Sequence, residues 1–135
     1  AAAALLVQWG LIPTLNLRPR QLCRYGAAAG AIGLLGTAFA EDYHAIVVAF
    51  ALASAGFGFT RPGFTAGSSL AVGPAQQGSV AGKVTSINGA SFVLGPSIGV
   101  GLYEAQHSLP YLTAGAACIA LFAYCLLSLP RQAAD

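Results

Sequence analysis

Charge is what this chain has least of: six Lys and Arg and four Asp and Glu among 135 residues. Ordinary soluble domains carry about 25% charged residues, so a share of 7% argues against a water-soluble globular protein. The net charge of +2 is small and its basic residues are scattered, with no basic run interleaved with aromatics. That excludes nucleic acid as an expected partner. Cysteine is also sparse. Cys23 reads as part of a polar loop, whereas Cys118 and Cys125 stand seven apart on one apolar helix. Neither a disulfide framework nor metal-ligand spacing results, and no metal or cofactor is expected. Methionine is absent altogether, and the chain opens on Ala1, Ala2, Ala3, Ala4, Leu5 and Leu6. With no basic flank of the kind a signal peptide carries, the expectation is a sequence that starts inside a helix, with further residues upstream.

What the chain has is long charge-free runs. Residues 1–17, 25–40, 43–60, 84–103 and 105–130 contain no Asp, Glu, Lys or Arg, and a spanning helix needs roughly 20 mostly apolar residues. The runs are continuously apolar and rich in Ala, Leu and Gly, whereas a barrel strand shows about ten residues of alternating polarity. The expected fold is all-α, a polytopic transmembrane helix bundle in the lipid bilayer. It has a truncated span over about 1–16 and spans near 24–40, 44–71, 79–103 and 109–129.

The breaks between runs predict orientation, because Lys and Arg collect in cytoplasmic loops while acids carry little topological weight. Arg18, Arg20 and Arg24 fill the first break, Lys83 sits beside the third, and Arg131 follows the last run. Those ends are expected inside, with the C-terminus cytoplasmic. Glu41, Asp42 and His44, then Glu104 and His107, occupy breaks without Lys or Arg and are expected outside.

Glycine is spaced rather than scattered. Gly26, Gly30, Gly33 and Gly36 stripe the second run, Gly63 and Gly67 sit four apart in the third, and Gly95, Gly99 and Gly101 follow in the fourth. Small residues at this spacing let helix backbones approach closely in lipid, and dense packing is the expected use. Arg61 is the one formal charge well inside an expected span. It lies about 27 Å from Tyr43 along a helix. Burying Arg there costs on the order of 2.5 to 3.5 kcal/mol, so it either faces protein and a watery cavity or snorkels toward the cytoplasmic headgroups. Phe57 and Phe64 share its face, four residues before it and three after. Aromatic surface beside a fixed charge suits an amphipathic small molecule. Asn88, Ser54, Ser68 and Ser69 either line a path or hydrogen-bond across helices, the commoner use.

Pro62 is followed by Gln77 and Gly78, then Gly82, then Gly95 and Pro96. This spacing resembles helices ten and eleven of the major facilitator superfamily, most nearly its tetracycline-efflux-like drug:proton antiporters. There a Pro in helix ten precedes a cytoplasmic Gln-Gly-x-x-x-Gly turn, and a Gly-Pro follows within helix eleven. The segment Leu94-Gly-Pro-Ser-Ile-Gly99 also resembles the Gly-Pro-rich antiporter signature of helix five, the counterpart of helix eleven in the parallel repeat. Gly10, Arg18 and Arg20 stand where the second copy of the family's cytoplasmic loop motif falls. The motif is half kept, with Thr14 in place of its acid and Leu17 in place of its second Gly.

The resemblance implies the C-terminal portion of a twelve-helix transporter, helices eight to twelve, in a plasma membrane of the bacterial inner-membrane type. Its partners would be the lipid bilayer, the missing N-terminal helices of the same protein, a small-molecule substrate and protons. The implied activity is proton-coupled efflux of a small amphipathic compound by alternating access. Arg61, Phe57 and Phe64 are the substrate-cavity candidates. Pro62, Gly95, Pro96 and Gly99 are candidates for a hinge or gate, the other reading of Pro96 being a kink absorbed by packing. Gly10, Arg18, Arg20, Gln77, Gly78 and Gly82 form the cytoplasmic loop motif. No Asp or Glu stands inside an expected span, so a proton-coupling carboxylate would lie upstream.

The alternative is a small four- or five-span oligomeric channel or scaffold. Enzymes are not expected. An intramembrane serine protease needs a His base inside a span, and Gly78-x-x-x-Gly82-Lys83 lacks the strand, spacing and hydroxyl of a P-loop.

Overall fold

The computed structural model describes residues 2–15 and 17–127. Helices account for nearly all of them, and no strand occurs among the described residues. A helical first segment consists of α1 (Ala2–Leu6), a π-helical turn (Val7–Leu11) and α2 (Ile12–Leu15). Then follow α3 (Pro19–Phe39), α4 (Tyr43–Leu70), α5 (Pro74–Ala105) and α6 (Leu109–Leu127). Arg131, on which the inside position of the last end rests, lies outside the described residues, as do Ala1, Asn16, Ser128 and Leu129 of the expected spans.

Local chemistry sets the helix starts. Pro19 and Pro74 stand at first helical positions, where a missing N–H costs nothing and φ is already helical. Gln21 Oε1 accepts from the backbone N–H of Arg18 at 3.0 Å. As a result α3 and α5 each begin five residues before the expected 24 and 79. Cys23, expected in a polar loop, is instead buried on the second turn of α3. Before α4, Asp42 Oδ2 accepts from the His44 N–H at 3.0 Å, a side-chain cap of an orphan donor.

Helix α3 is the centre. Leu22, Cys23, Gly26, Ala27, Gly30, Ala31, Gly33, Leu34 and Thr37 are buried on it, mostly small residues. Against them α4 runs antiparallel, bringing Gly67 to Pro19, Gly63 to Leu22 and Cys23, Gly56 to Gly26 and Gly30, and Ala53 and Ala49 to Gly33. The approach is backbone to backbone. A Cβ on Gly26 would sit 2.6 Å from the Gly56 carbonyl oxygen, and one on Gly56 would sit 2.6 Å from that of Gly26. Only glycine admits an approach this close, the kind at which Cα–H···O contacts recur between helices. Packing of this kind holds helices together where lipid removes the hydrophobic drive between them. On its other side α3 meets α6, Gly30 beside Cys118 and Leu35 over Gly115. The first segment lies on α4, with Ala4 and Val7 over Gly58.

Large apolar side chains turn outward. Ile46, Val47, Val48 and Phe50 of α4 and Ile119, Tyr124 and Leu126 of α6 are exposed, a polarity reversed from that of a soluble bundle. Three helices are long and apolar enough to cross a membrane: Pro19–Phe39, Tyr43–Leu70 and Leu109–Leu127. Helix α5 has 32 residues, about 48 Å at 1.5 Å per residue. It is not among those three, although a span was expected near 79–103, and its first half carries Gln76, Gln77, Ser79, Lys83, Thr85, Ser86 and Asn88. No residue of α5 is buried. Gly95, Gly99 and Gly101, expected at a close helix contact, have no described atom within 4 Å of where a Cβ would be. Gly95 and Gly99 stand four apart as Gly26 and Gly30 do, but no described helix lies against them.

The ends sort by charge. Arg20 reaches the last carbonyls of α6 and Pro19 lies beside Gly67 near the end of α4. Arg18, Arg20 and Arg24 therefore share one end of the bundle with the start of α5 that carries Lys83. Glu41, Asp42, Glu104 and His107 belong to the opposite end.

Candidate functional site

The stretch of α4 after Gly56 places Phe57, Thr60, Arg61, Phe64 and Thr65 at intervals of three and four residues, on one helical face. A neighbouring face of the same stretch supplies Gly56 and Gly63 to α3, and Thr60, between the two faces, lies against Gly26. The glycine packing thus fixes the rotation of α4 and turns the aromatic and cationic face toward α5. From α5, Asn88, Ser91 and Phe92 repeat the same three-and-four spacing. Together these eight residues line an open groove of about 350 Å³ between the two helices. Small-molecule sites run from about 300 to 1,000 Å³.

Arg61, Phe57 and Phe64, the cavity candidates, meet in this groove. The sequence pattern did not single out Thr60, Thr65, Ser91 or Phe92, and it weighed Asn88 chiefly as a cross-helix hydrogen-bonding residue. Its side chain forms no hydrogen bond with another described residue. Three hydroxyls are committed to their own helices. Thr60 donates to the Gly56 carbonyl at 2.9 Å, Thr65 to that of Arg61 at 3.0 Å and Ser91 to that of Ile87 at 2.8 Å. Arg61 and Asn88 remain as the groove's uncommitted donors. Among the described residues the single ion pair is Asp42 with His44, at the far end of α4. Arg61 is exposed into the groove without an acidic partner.

The hinge candidates divide between two settings. Pro62 stands inside α4 beside Arg61, and its missing N–H leaves the Gly58 carbonyl without its helical donor. Pro96 stands inside α5 and does the same to the carbonyl of Phe92, a groove residue. Gly95 and Gly99 flank Pro96 in open surroundings.

The loop-motif candidates lie on several elements. Gly10 lies within the π-helical turn, accepting the Thr14 hydroxyl at 2.9 Å. Arg18 precedes α3, and Arg20 crosses to α6. Gln77, Gly78 and Gly82 are exposed in the first turns of α5 rather than in a turn before it, because Pro74 starts that helix. No group of three or more His, Cys, Asp or Glu side chains that could hold a metal occurs among the described residues.

No protein-family model matches this chain, and neither a curated protein nor a solved structure matches it.

Proposed function

We propose that the chain is the C-terminal portion of a secondary membrane transporter of the major facilitator type, and that the groove between α4 and α5 is its share of the substrate path. The observation that carries the reading is the meeting of Phe57, Arg61 and Phe64 with Asn88, Ser91 and Phe92 around one groove. A fixed charge and three aromatic rings there border one open groove rather than a packed contact. Three supports stand beside it: three helices able to cross a membrane, the Pro62 to Pro96 motif spacing, and the sorting of basic and acidic residues to opposite ends of the bundle.

In this reading the transporter exports a small amphipathic compound in exchange for protons. It sits in a plasma membrane of the bacterial inner-membrane type, with Arg18, Lys83 and the C-terminus on the cytoplasmic side. The tight α3–α4–α6 unit moves as a body, and α5, bound loosely to it, changes partners as the groove opens to one side and then the other. A site shared between two repeats takes its remaining wall from the other half of the protein.

The test is reconstitution of the full-length protein in liposomes with an imposed proton gradient. Gradient-dependent efflux of an amphipathic dye, lost on dissipating the gradient, is the expected result. Dye or ion flux that follows only its own gradient would instead support the oligomeric channel.

A further inference from the structure

Within that transport reading, we infer that the substrate is an organic anion, an aromatic or otherwise flat apolar body carrying one carboxylate-like group that docks on Arg61 and Asn88. Charge around the groove is one-sided. Arg61 is the lone formal charge of α4, and across the groove α5 carries Lys83 five residues before Asn88, about 7.5 Å along the helix. The nearest acid on α5 is Glu104, thirteen residues beyond Ser91 and about 20 Å away at the other end of the helix. An amphipathic cation entering here would meet like charge and find no counter-ion among the described residues of the groove. A neutral molecule would cover Arg61 and leave its guanidinium unpaired, which is costly away from water.

The hydrogen-bonding inventory points the same way. With the Thr60, Thr65 and Ser91 hydroxyl protons committed to helix carbonyls, the donors left to a ligand are the guanidinium fork and the Asn88 amide. A carboxylate accepts from both, and the planar fork matches its two oxygens. Phe57, Phe64 and Phe92 then cover the apolar body by stacking or edge contacts. The groove volume of about 350 Å³ suits a bicyclic ring with one small substituent.

Three matched probes test this on the purified full-length protein in detergent: 1-naphthoate, 1-naphthamide and 1-naphthylmethylammonium, which share a ring system and differ in charge. Naphthoate should bind about tenfold or more tighter than either of the others, as a charge-assisted bidentate contact requires. Arg61→Gln should bind all three with similar affinity, and Arg61→Lys should keep part of the preference. Equal or tighter binding of the cation, a naphthoate preference that survives Arg61→Gln, or no binding of any probe would each overturn the inference. So would displacement of naphthoate by phosphatidylglycerol but not by phosphatidylcholine, which would assign the groove to a lipid phosphate. Liposome flux separates this from the transport reading. Flux of naphthamide with no anion preference would defeat the substrate class alone, and selective naphthoate binding without flux would defeat transport while leaving the anion site.

Discussion

Arg20, on the first turn of α3, donates through Nε to the backbone carbonyl of Cys125 near the end of α6, at 3.2 Å and across 105 residues of chain. A second guanidinium nitrogen reaches the carbonyl of Leu126, also at 3.2 Å. A cation near the C-terminal part of a helix complements the helix dipole. One side chain thereby ties α6 to α3. It was a loop-motif residue by resemblance, and its position explains why a base serves at that point.

Replacing Arg20 should accordingly loosen α6. Arg20→Ala is expected to cost about 1.5 to 3 kcal/mol, the range for hydrogen bonds made by a charged donor. Arg20→Lys should recover part of it, having charge but no fork. Thermal unfolding of the purified protein, followed through fluorescence, reads both. Equal midpoints for wild type and Arg20→Ala would show that these hydrogen bonds contribute nothing.

The glycines of α3 and α4 should respond differently from those of α5. Gly→Ala gains about 1 kcal/mol of helix propensity, but a Cβ forced into a packed contact costs about 1 to 3 kcal/mol. At Gly56 the new atom meets the Gly26 carbonyl oxygen at 2.6 Å and the Gly30 backbone, so the cost should win. At Gly89 it meets no described atom within 4 Å, so the gain should win. Stability of Gly56→Ala and Gly89→Ala in parallel decides it; a stabilised Gly56→Ala would contradict the close α3–α4 contact.

Topology can be read chemically, though not at Cys23, which is 8% exposed. With Cys23, Cys118 and Cys125 replaced by Ser, a single cysteine at Ala75 should resist a membrane-impermeant thiol reagent in intact cells, and one at Ala105 should react. Both positions are exposed, at opposite ends of α5. The reverse pattern would invert the orientation, and equal labelling would mean that α5 does not cross.

Pro96 offers a choice between hinge and kink. Pro96→Ala restores the N–H that can pair with the Phe92 carbonyl and removes a ring clash, stiffening α5 beside the groove. If α5 bends during transport, flux should fall several-fold while thermal stability rises, the trade-off expected of a residue retained for motion. Unchanged flux with raised stability would assign Pro96 to packing alone.

Much of this arrangement was legible in the residues. Helical periodicity alone puts Phe57, Arg61 and Phe64 on one face, and the glycine spacing of α3 signals a close neighbour. What periodicity could not reveal is which helix each face meets. Asn88, Ser91 and Phe92 carry the same three-and-four spacing as the α4 residues, but nothing local says that this face turns toward α4. The glycines of α3 and α5 look alike in sequence, yet Gly33 touches Ala53 while Gly95 touches nothing described. Cys23 was misread because Arg20 and Arg24 beside it suggest a loop, although Pro19 was already a helix-start signal.

Whether Arg61 faces a translocation path is decided by flux through Arg61→Ala, Arg61→Gln and Arg61→Lys in the full-length protein, each normalised to protein in the membrane. A side chain that merely snorkels tolerates loss of its charge, since insertion becomes easier without it. A residue that binds substrate does not. Ala and Gln should lose about 10- to 100-fold of transport, the loss expected when a charged hydrogen-bonding contact is removed, and Lys should rescue only partly. Wild-type flux in all three variants would contradict the account and leave the α4–α5 groove with no part in transport.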